Sequence, residues 1–276
     1  MSKSITYEDA MMMINELVEK TKRPVCKVNL TKEKCSIFDS KMGGIPYYPQ
    51  NEVLPVDEAG KQLWLLAQIN FKQMPNLPDF PTEGILQFFI ALNDVLGLDF
   101  KNWTSAKNFR VIYHKYIDDT INEEDVRKKI KDYGEKVYPP IPLGKEYKMN
   151  FVKTEESMSI CDNKYNKEFL QIARKYFPDK NIKSFFDLND KIIDKAYNDK
   201  NLIGTGTKIG GYPFFTQDDP RYYGENKDYD ILLFQSDSDL DLDIMWGDCG
   251  VANFFIKLSD LKKLDFSKVG YNWDCY

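Results

Sequence analysis

The chain has 276 residues and a net charge of −5. A chain of this length buries a core without disulfide or metal staples, and its acidic balance disfavours nucleic acid and anionic membranes as partners. Five scattered cysteines without a C-x-x-C pair argue against a disulfide framework or a zinc knuckle, and a single histidine, His114, excludes any multi-histidine metal centre within one chain.

At the N-terminus, Thr6 and Asp9 form a start signal for a helix whose Ala10, Ile14 and Leu17 face inward. No basic leader precedes an apolar stretch there, and no run of eighteen apolar residues occurs, so a cytoplasmic protein is expected. The segment KMGGIPYYPQ (41–50) follows. Gly43 and Gly44 suit a turn with positive φ, and Pro46 holds Ile45 extended. The runs LWLLAQINF and ILQFFIAL then read as strands, and FRVIYHKYID (109–118) as one more.

The region of about 120–200 reads as a helical insert. NEEDVRKKIKDYGEKV (122–137) places Val126, Ile130, Tyr133 and Val137 at helical spacing behind Asn122 and Asp125. NKEFLQIARKYF and DKIIDKAYN read as further helices, and YPPIPLG (138–144) as an extended loop.

KIGGYPFFTQ (208–217) then repeats the first loop, with Gly210, Gly211 and Pro213 in the matching places. Gly211 follows Gly44 by 167 residues, and Gln235 follows Gln68 by the same interval. After a one-residue slip, GVANFFIKLSDLKKLDF (250–266) matches GILQFFIALNDVLGLDF (84–100) at nine of seventeen positions. A register held this long implies an internal duplication of 41–100 as 208–266. Copies this short leave one sheet face bare alone, so one intertwined domain over 1–276 is expected. Its class is α+β, mainly β, with rolled antiparallel sheets related by a pseudo-twofold and helices at the N-terminus and between the copies.

GGIPYYP, LLAQINF, LPDFPTEGILQFFI, FRVIYH, LLFQSDSD, IMWGDCGVANFFI and YNWDC, in this order, resemble the YwqG-like family of bacterial proteins over essentially the whole chain. The resemblance implies a cytoplasmic, mainly β protein. It implies no activity, because the family is a domain of unknown function with no agreed catalytic residues.

Four features stand as candidate sites. In QSDSDLDLDIMWGDCG, an extended strand puts Asp237, Asp239, Asp241 and Asp243 on one face, where crowded carboxylates invite Ca²⁺ or Mg²⁺. The alternative is a solvated strand face or hairpin tip, since the spacing lacks the glycine and glutamate of an EF-hand loop. In WGDCG, Trp246 and Asp248 flank a glycine and suit a ligand amine, against a core tryptophan and a turn-capping aspartate. Cys249 with His114 and Asp248 is a conceivable thiol triad, against a structural or exposed histidine. Gln68 and Gln235 line a shared cleft or tie loop backbone in place. The Gly-Gly loops are not phosphate cradles, because no Lys-Ser/Thr follows and each proline removes an amide.

No catalytic constellation or cofactor fingerprint is visible, and no cofactor is expected. The sequence favours a non-enzymatic module for a protein or peptide partner, with neither nucleic acid nor membrane. The alternative is a carboxylate- or metal-assisted hydrolase using the 237–248 segment. A structural subunit that dimerises through strand edges is a third reading, and the oligomeric state is not legible.

Overall fold

The computed structural model describes residues 5–134, 138–223 and 226–276. Its elements in chain order are α1 (Tyr7–Thr21), β1 (Arg23–Thr31), β2 (Lys41–Gly43), β3 (Trp64–Asn70), β4 (Ile85–Ile90), β5 (Phe109–His114), α2 (Glu123–Arg127) and β6 (Glu146–Glu156). After these come α3 (Tyr165–Tyr176), α4 (Asp190–Asn198), α5 (Lys200–Ile203), β7 (Lys208–Gly210), β8 (Ile231–Asp237), β9 (Val251–Ile256), α6 (Leu258–Leu261) and β10 (Gly270–Asp274).

All ten strands form one antiparallel, nearly closed sheet rather than several sheets, in the order β10-β9-β8-β7-β1-β6-β2-β3-β4-β5. β1 pairs along its whole length with Lys148–Glu156 of β6 at the centre. The chain then runs outward through β2 to β5 on one side and through β7 to β10 on the other. A bulge between Leu65 and Ala67 in β3 has a counterpart between Leu232 and Phe234 in β8, again 167 residues on. The two ends approach one another: the Tyr271 amide donates to the Trp103 carbonyl at 2.9 Å, and the Phe109 and Tyr271 rings lie 5.2 Å apart.

Period-two alternation sorts the side chains of each strand between two cores. In β4, Leu86, Phe88 and Ile90 point into the rolled sheet while Ile85 and Phe89 point outward under the 37–54 loop. In β9, Ala252, Phe254 and Ile256 point inward and Phe255 outward. The interior is common to both sides of the sheet, with Phe88 4.8 Å from Phe254 and 5.0 Å from Phe234. Aromatic pairs of this kind add about 1 kcal/mol each to their area burial.

A helical layer packs together beside the sheet and takes in Tyr212, just after β7. α1 starts on a Thr6–Asp9 capping box and buries Ala10, Ile14 and Leu17. Those residues meet Phe169 and Ile172 of α3, Phe185, and Ile192 of α4. The region 120–200 is less helical than its periodicity predicts. α2 ends at Arg127, and the last residues of the predicted helix, 135–137, lie outside the described residues. The same region contains β6, the longest strand of the sheet.

Candidate functional site

Each Gly-Gly turn is built the same way. Gly43 and Gly44 have φ of 65° and 73°, and Gly210 and Gly211 have 71° and 66°. A side chain is strained in that region. It would also collide: a Cβ on Gly44 meets the Glu146 carboxylate, and one on Gly211 meets that of Glu156. The glutamines secure the turns. Gln68 accepts from the Tyr47 amide at 2.8 Å and donates to the carbonyls of Ile37 and Asp39. Gln235 accepts from Phe214 at 2.8 Å and donates to Gly204 and Gly206. Both are fully buried, so they tie loop backbone and do not face a cleft.

Beneath each turn lies a buried lysine, Lys41 and Lys208, at the same place in the repeated loop. Their carboxylate partners come from opposite ends of β6. Lys208 Nζ lies 2.8 and 3.0 Å from the two oxygens of Glu156, which also accepts the Tyr212 amide. Lys41 is held more loosely. Its Nζ donates to the Ser36 carbonyl at 2.9 Å and lies 3.9 Å from Glu146 Oε2. Glu146 Oε1 accepts the Cys35 amide at 3.1 Å. Burial depresses the pKa of both lysines, and the neighbouring glutamates oppose that shift.

The two turns differ in what covers them. Over the second, the Arg23 guanidinium lies 3.4 Å from the Tyr212 ring centroid and donates to the Gly211 carbonyl. The Tyr212 hydroxyl donates to Thr21 at 2.7 Å, and its ring joins the helical core. Over the first turn there is an open cleft of about 530 Å³. Leu54, Leu63, Leu65, Phe89, Ile130 and Tyr133 supply its apolar wall. Lys41 and Glu146 lie at its floor, with Lys34, Glu123, Arg127, Lys131 and Asp132 around them. Glu146 keeps 26% of its side chain exposed, against 7% for Glu156. Apolar and charged side chains line this cleft in comparable measure, and a concave site with convergent charged groups is one form of a ligand site.

The acidic segment is not an extended strand, so its four carboxylates do not share a face. β8 ends at Asp237, and Asp239 caps a single 3₁₀ turn over Leu240–Leu242. Asp243 is left-handed, with φ of 56°. Asp237 accepts from the amides of Gly206 and Ser238, and Asp239 from that of Asp241. Among the described residues no group of three or more His, Cys, Asp or Glu side chains is arranged to hold a metal ion.

Trp246 is wholly buried and donates to Ser236 Oγ at 3.0 Å, so it is a core anchor with no surface to offer a ligand. Asp248 is exposed on the turn beside it. His114 lies in the core under the first loop, 3.0 Å from Gln87 Oε1 and edge-on to Tyr47 and Tyr48. Burial lowers its pKa to about 4. Cys249 is exposed on the 246–250 turn with its amide on Met245 Sδ. His114 has all its described partners in the first loop and strands, so the structure does not assemble the thiol triad.

Sequence reasoning passed over Lys41, Glu146 and Gly144. The signal for Lys41 is present, because K-x-G-G opens both copies of the loop. Glu146 carries none, since it reaches the turn across a strand pair from outside either copy. No helix among the described residues is long and apolar enough to cross a membrane. Among curated proteins none matches the chain. A family model does match, over residues 40–275, and takes in both Gly-Gly turns, both glutamates of β6 and every strand but β1. The chain therefore belongs to the family described as a domain of unknown function (DUF1963), the YwqG-like domain.

Proposed function

We propose that the protein is a binding module whose site is the cleft over the first Gly-Gly turn, and that its ligand is a peptide segment of a partner. The observation that carries this reading is the contrast between the two turns. Each has the same glycines, the same glutamine ties and a buried lysine beside a carboxylate, yet only the second is sealed by Arg23, Tyr212 and the helices. The matching construction also supports reading 41–100 and 208–266 as copies of one ancestral unit. On that reading one copy became scaffold and the other kept an accessible face. The 246–250 turn supports a binding role less, because among the described residues it offers only the exposed Asp248 carboxylate and Cys249 thiol with no concave wall around them.

The test is selection of a displayed random-peptide library on the folded protein. Leu143 lines the cleft and is 44% exposed, so Leu143→Trp obstructs the mouth without entering the core. Selected peptides should bind the parent and fail on Leu143→Trp, with the variant melting within a degree or two of the parent. Peptides that bind both proteins alike would place the site elsewhere.

A further inference from the structure

The sealed half of the molecule contains a group that the open half lacks. β1 pairs with β7 through Val25–Gly210, Cys26–Ile209 and Lys27–Lys208. β6 pairs with β2 through Glu146–Gly43, Tyr147–Met42 and Lys148–Lys41. Val25 and Glu146 therefore hold the same register position, each opposite the first glycine of its turn. Two residues earlier stand Arg23 in one half and Gly144 in the other. The carbonyls between them agree with this alignment: a Cβ on Gly210 would meet the Pro24 carbonyl, and one on Gly43 the Lys145 carbonyl. Arg23 fills the space over its turn. Gly144 has no side chain with which to do so, and it lines the open cleft.

The seat that Arg23 occupies has an acceptor, a carboxylate and a second anion. The acceptor is the Gly211 carbonyl; burial and Arg221 disfavour the charge on the guanidinium, and Asp162 and Glu156 favour it from beyond ion-pair distance. The open half repeats the first two. Gly44 matches Gly211, and no described donor reaches its carbonyl. Glu146 stands against Gly44, and among the described residues its Oε2 is engaged only at 3.9 Å, by Lys41. Glu123 on the cleft wall is already paired with Arg127 at 2.6 Å, so the partly exposed Glu146 is the carboxylate that the open seat offers. Lys41 does not bar a further cation. In the sealed half Lys208 and Arg23 already share the surroundings of one glutamate.

Resting on the assignment of the cleft as the binding site, we infer that it receives a guanidinium group: an arginine side chain of the partner peptide takes the place that Arg23 takes in the other half. The guanidinium donates to the Gly44 carbonyl and to Glu146 Oε2, and its methylene stem lies along the apolar wall. A planar donor fork suits a carbonyl and a carboxylate side by side better than an ammonium does.

The direct probe is N-acetyl-arginine methylamide, titrated into the labelled protein and followed by amide NMR shifts. Its control is the citrulline analogue, which has nearly the same shape and no charge. Arginine should shift the amides of Gly44, Ile45 and Glu146 saturably, and citrulline should bind at least about tenfold more weakly, as loss of a charged hydrogen bond requires. Glu146→Gln should weaken arginine binding by a similar factor, and Leu143→Trp should abolish it. Equal shifts from arginine and citrulline, or arginine shifts that survive Glu146→Gln, overturn the guanidinium assignment. The peptide selection separates the two readings. Leu143-dependent peptides without enriched arginine leave the cleft standing and sink this inference, whereas the absence of any Leu143-dependent peptide sinks both.

Discussion

Glu146 and Glu156 are the first and last residues of one strand, and each lies against a Gly-Gly turn on the opposite side of the sheet. β6 thus carries both carboxylates of the paired sites. Their energetics should differ. Glu156→Gln leaves Lys208 charged and without its partner in the core, a change that costs about 3–5 kcal/mol. Glu146→Gln affects a pair 3.9 Å apart with the glutamate partly exposed, so its cost should stay under about 1 kcal/mol. Urea denaturation of the two variants measures this directly, and equal losses would show that the two pairs are equivalent.

The glycines give a graded set. Gly44→Val and Gly211→Val each combine a positive φ, a branched side chain and a collision with a glutamate. Each should lower stability by more than about 3 kcal/mol. Gly60 has φ of 79° with open space around it, so Gly60→Ala should cost only about 1 kcal/mol. Thermal melts that rank Gly60→Ala with the other two would refute the steric part of the argument.

His114 gives a pH dependence with a definite sign. Burial among Tyr47, Tyr48 and Gln87 lowers its pKa from 6.5 to about 4, so the fold prefers the neutral ring. Between those two values the unfolded chain takes up a proton that the folded chain refuses. The stability due to the neutral ring is therefore fully present above pH 6.5 and is lost as pH falls towards 4. Its upper limit is about 3 kcal/mol. The difference in unfolding free energy between the parent and His114→Gln, followed from pH 7.5 to 4.5, should shrink by 1–3 kcal/mol, on the order that such a shift allows. A constant difference would mean that the imidazole titrates normally.

The fold was legible where the sequence repeats. KMGGIPYYPQ and KIGGYPFFTQ announce both turns, and the FFI runs announce β4 and β9, because burial on both faces demands continuous apolar residues there. The central pair was not legible. β1 opens with Arg-Pro, and the second half of β6 is Val-Lys-Thr-Glu-Glu with little burial. β1 does alternate, with Cys26, Val28 and Leu30 turned to the core between Lys27, Asn29 and Thr31, but the pattern is short and weakly apolar, and the second half of β6 has none. The acidic run misled for a related reason. Alternation of aspartate with leucine has the period of a strand, but the side chains of Asp237 and Asp239 bond nearby amides and turn the chain. The candidate cleft was hidden because Lys41, Gly144 and Glu146 meet only through the β2–β6 pairing.

That turned chain carries a prediction about cations. Asp237 and Asp239 each hold backbone amides, and Asp241 is exposed. Millimolar Ca²⁺ or Mg²⁺ should leave the melting temperature unchanged within a degree, and Asp239→Asn should show no metal dependence either. A saturable rise in the parent that Asp239→Asn removes would establish a cation site by mass action.

The 246–250 turn sets two neighbours against each other. Trp246 is buried completely, with its ring 6.1 Å from that of Trp273 and its indole N–H on Ser236, which is itself fully buried. Trp246→Phe removes ring volume and leaves the Ser236 hydroxyl without its donor. Lost packing and one unsatisfied buried group together should cost about 2–4 kcal/mol. Asp248 is exposed, and among the described residues its backbone carbonyl accepts from the Tyr276 amide at 3.1 Å while its side chain meets no partner. Asp248→Asn keeps that backbone and should change stability by less than about 0.5 kcal/mol. Chemical denaturation of both variants decides the matter. If Asp248→Asn proved the more damaging, its side chain would have a structural partner, and the division of this turn into a core anchor and a free carboxylate would be wrong.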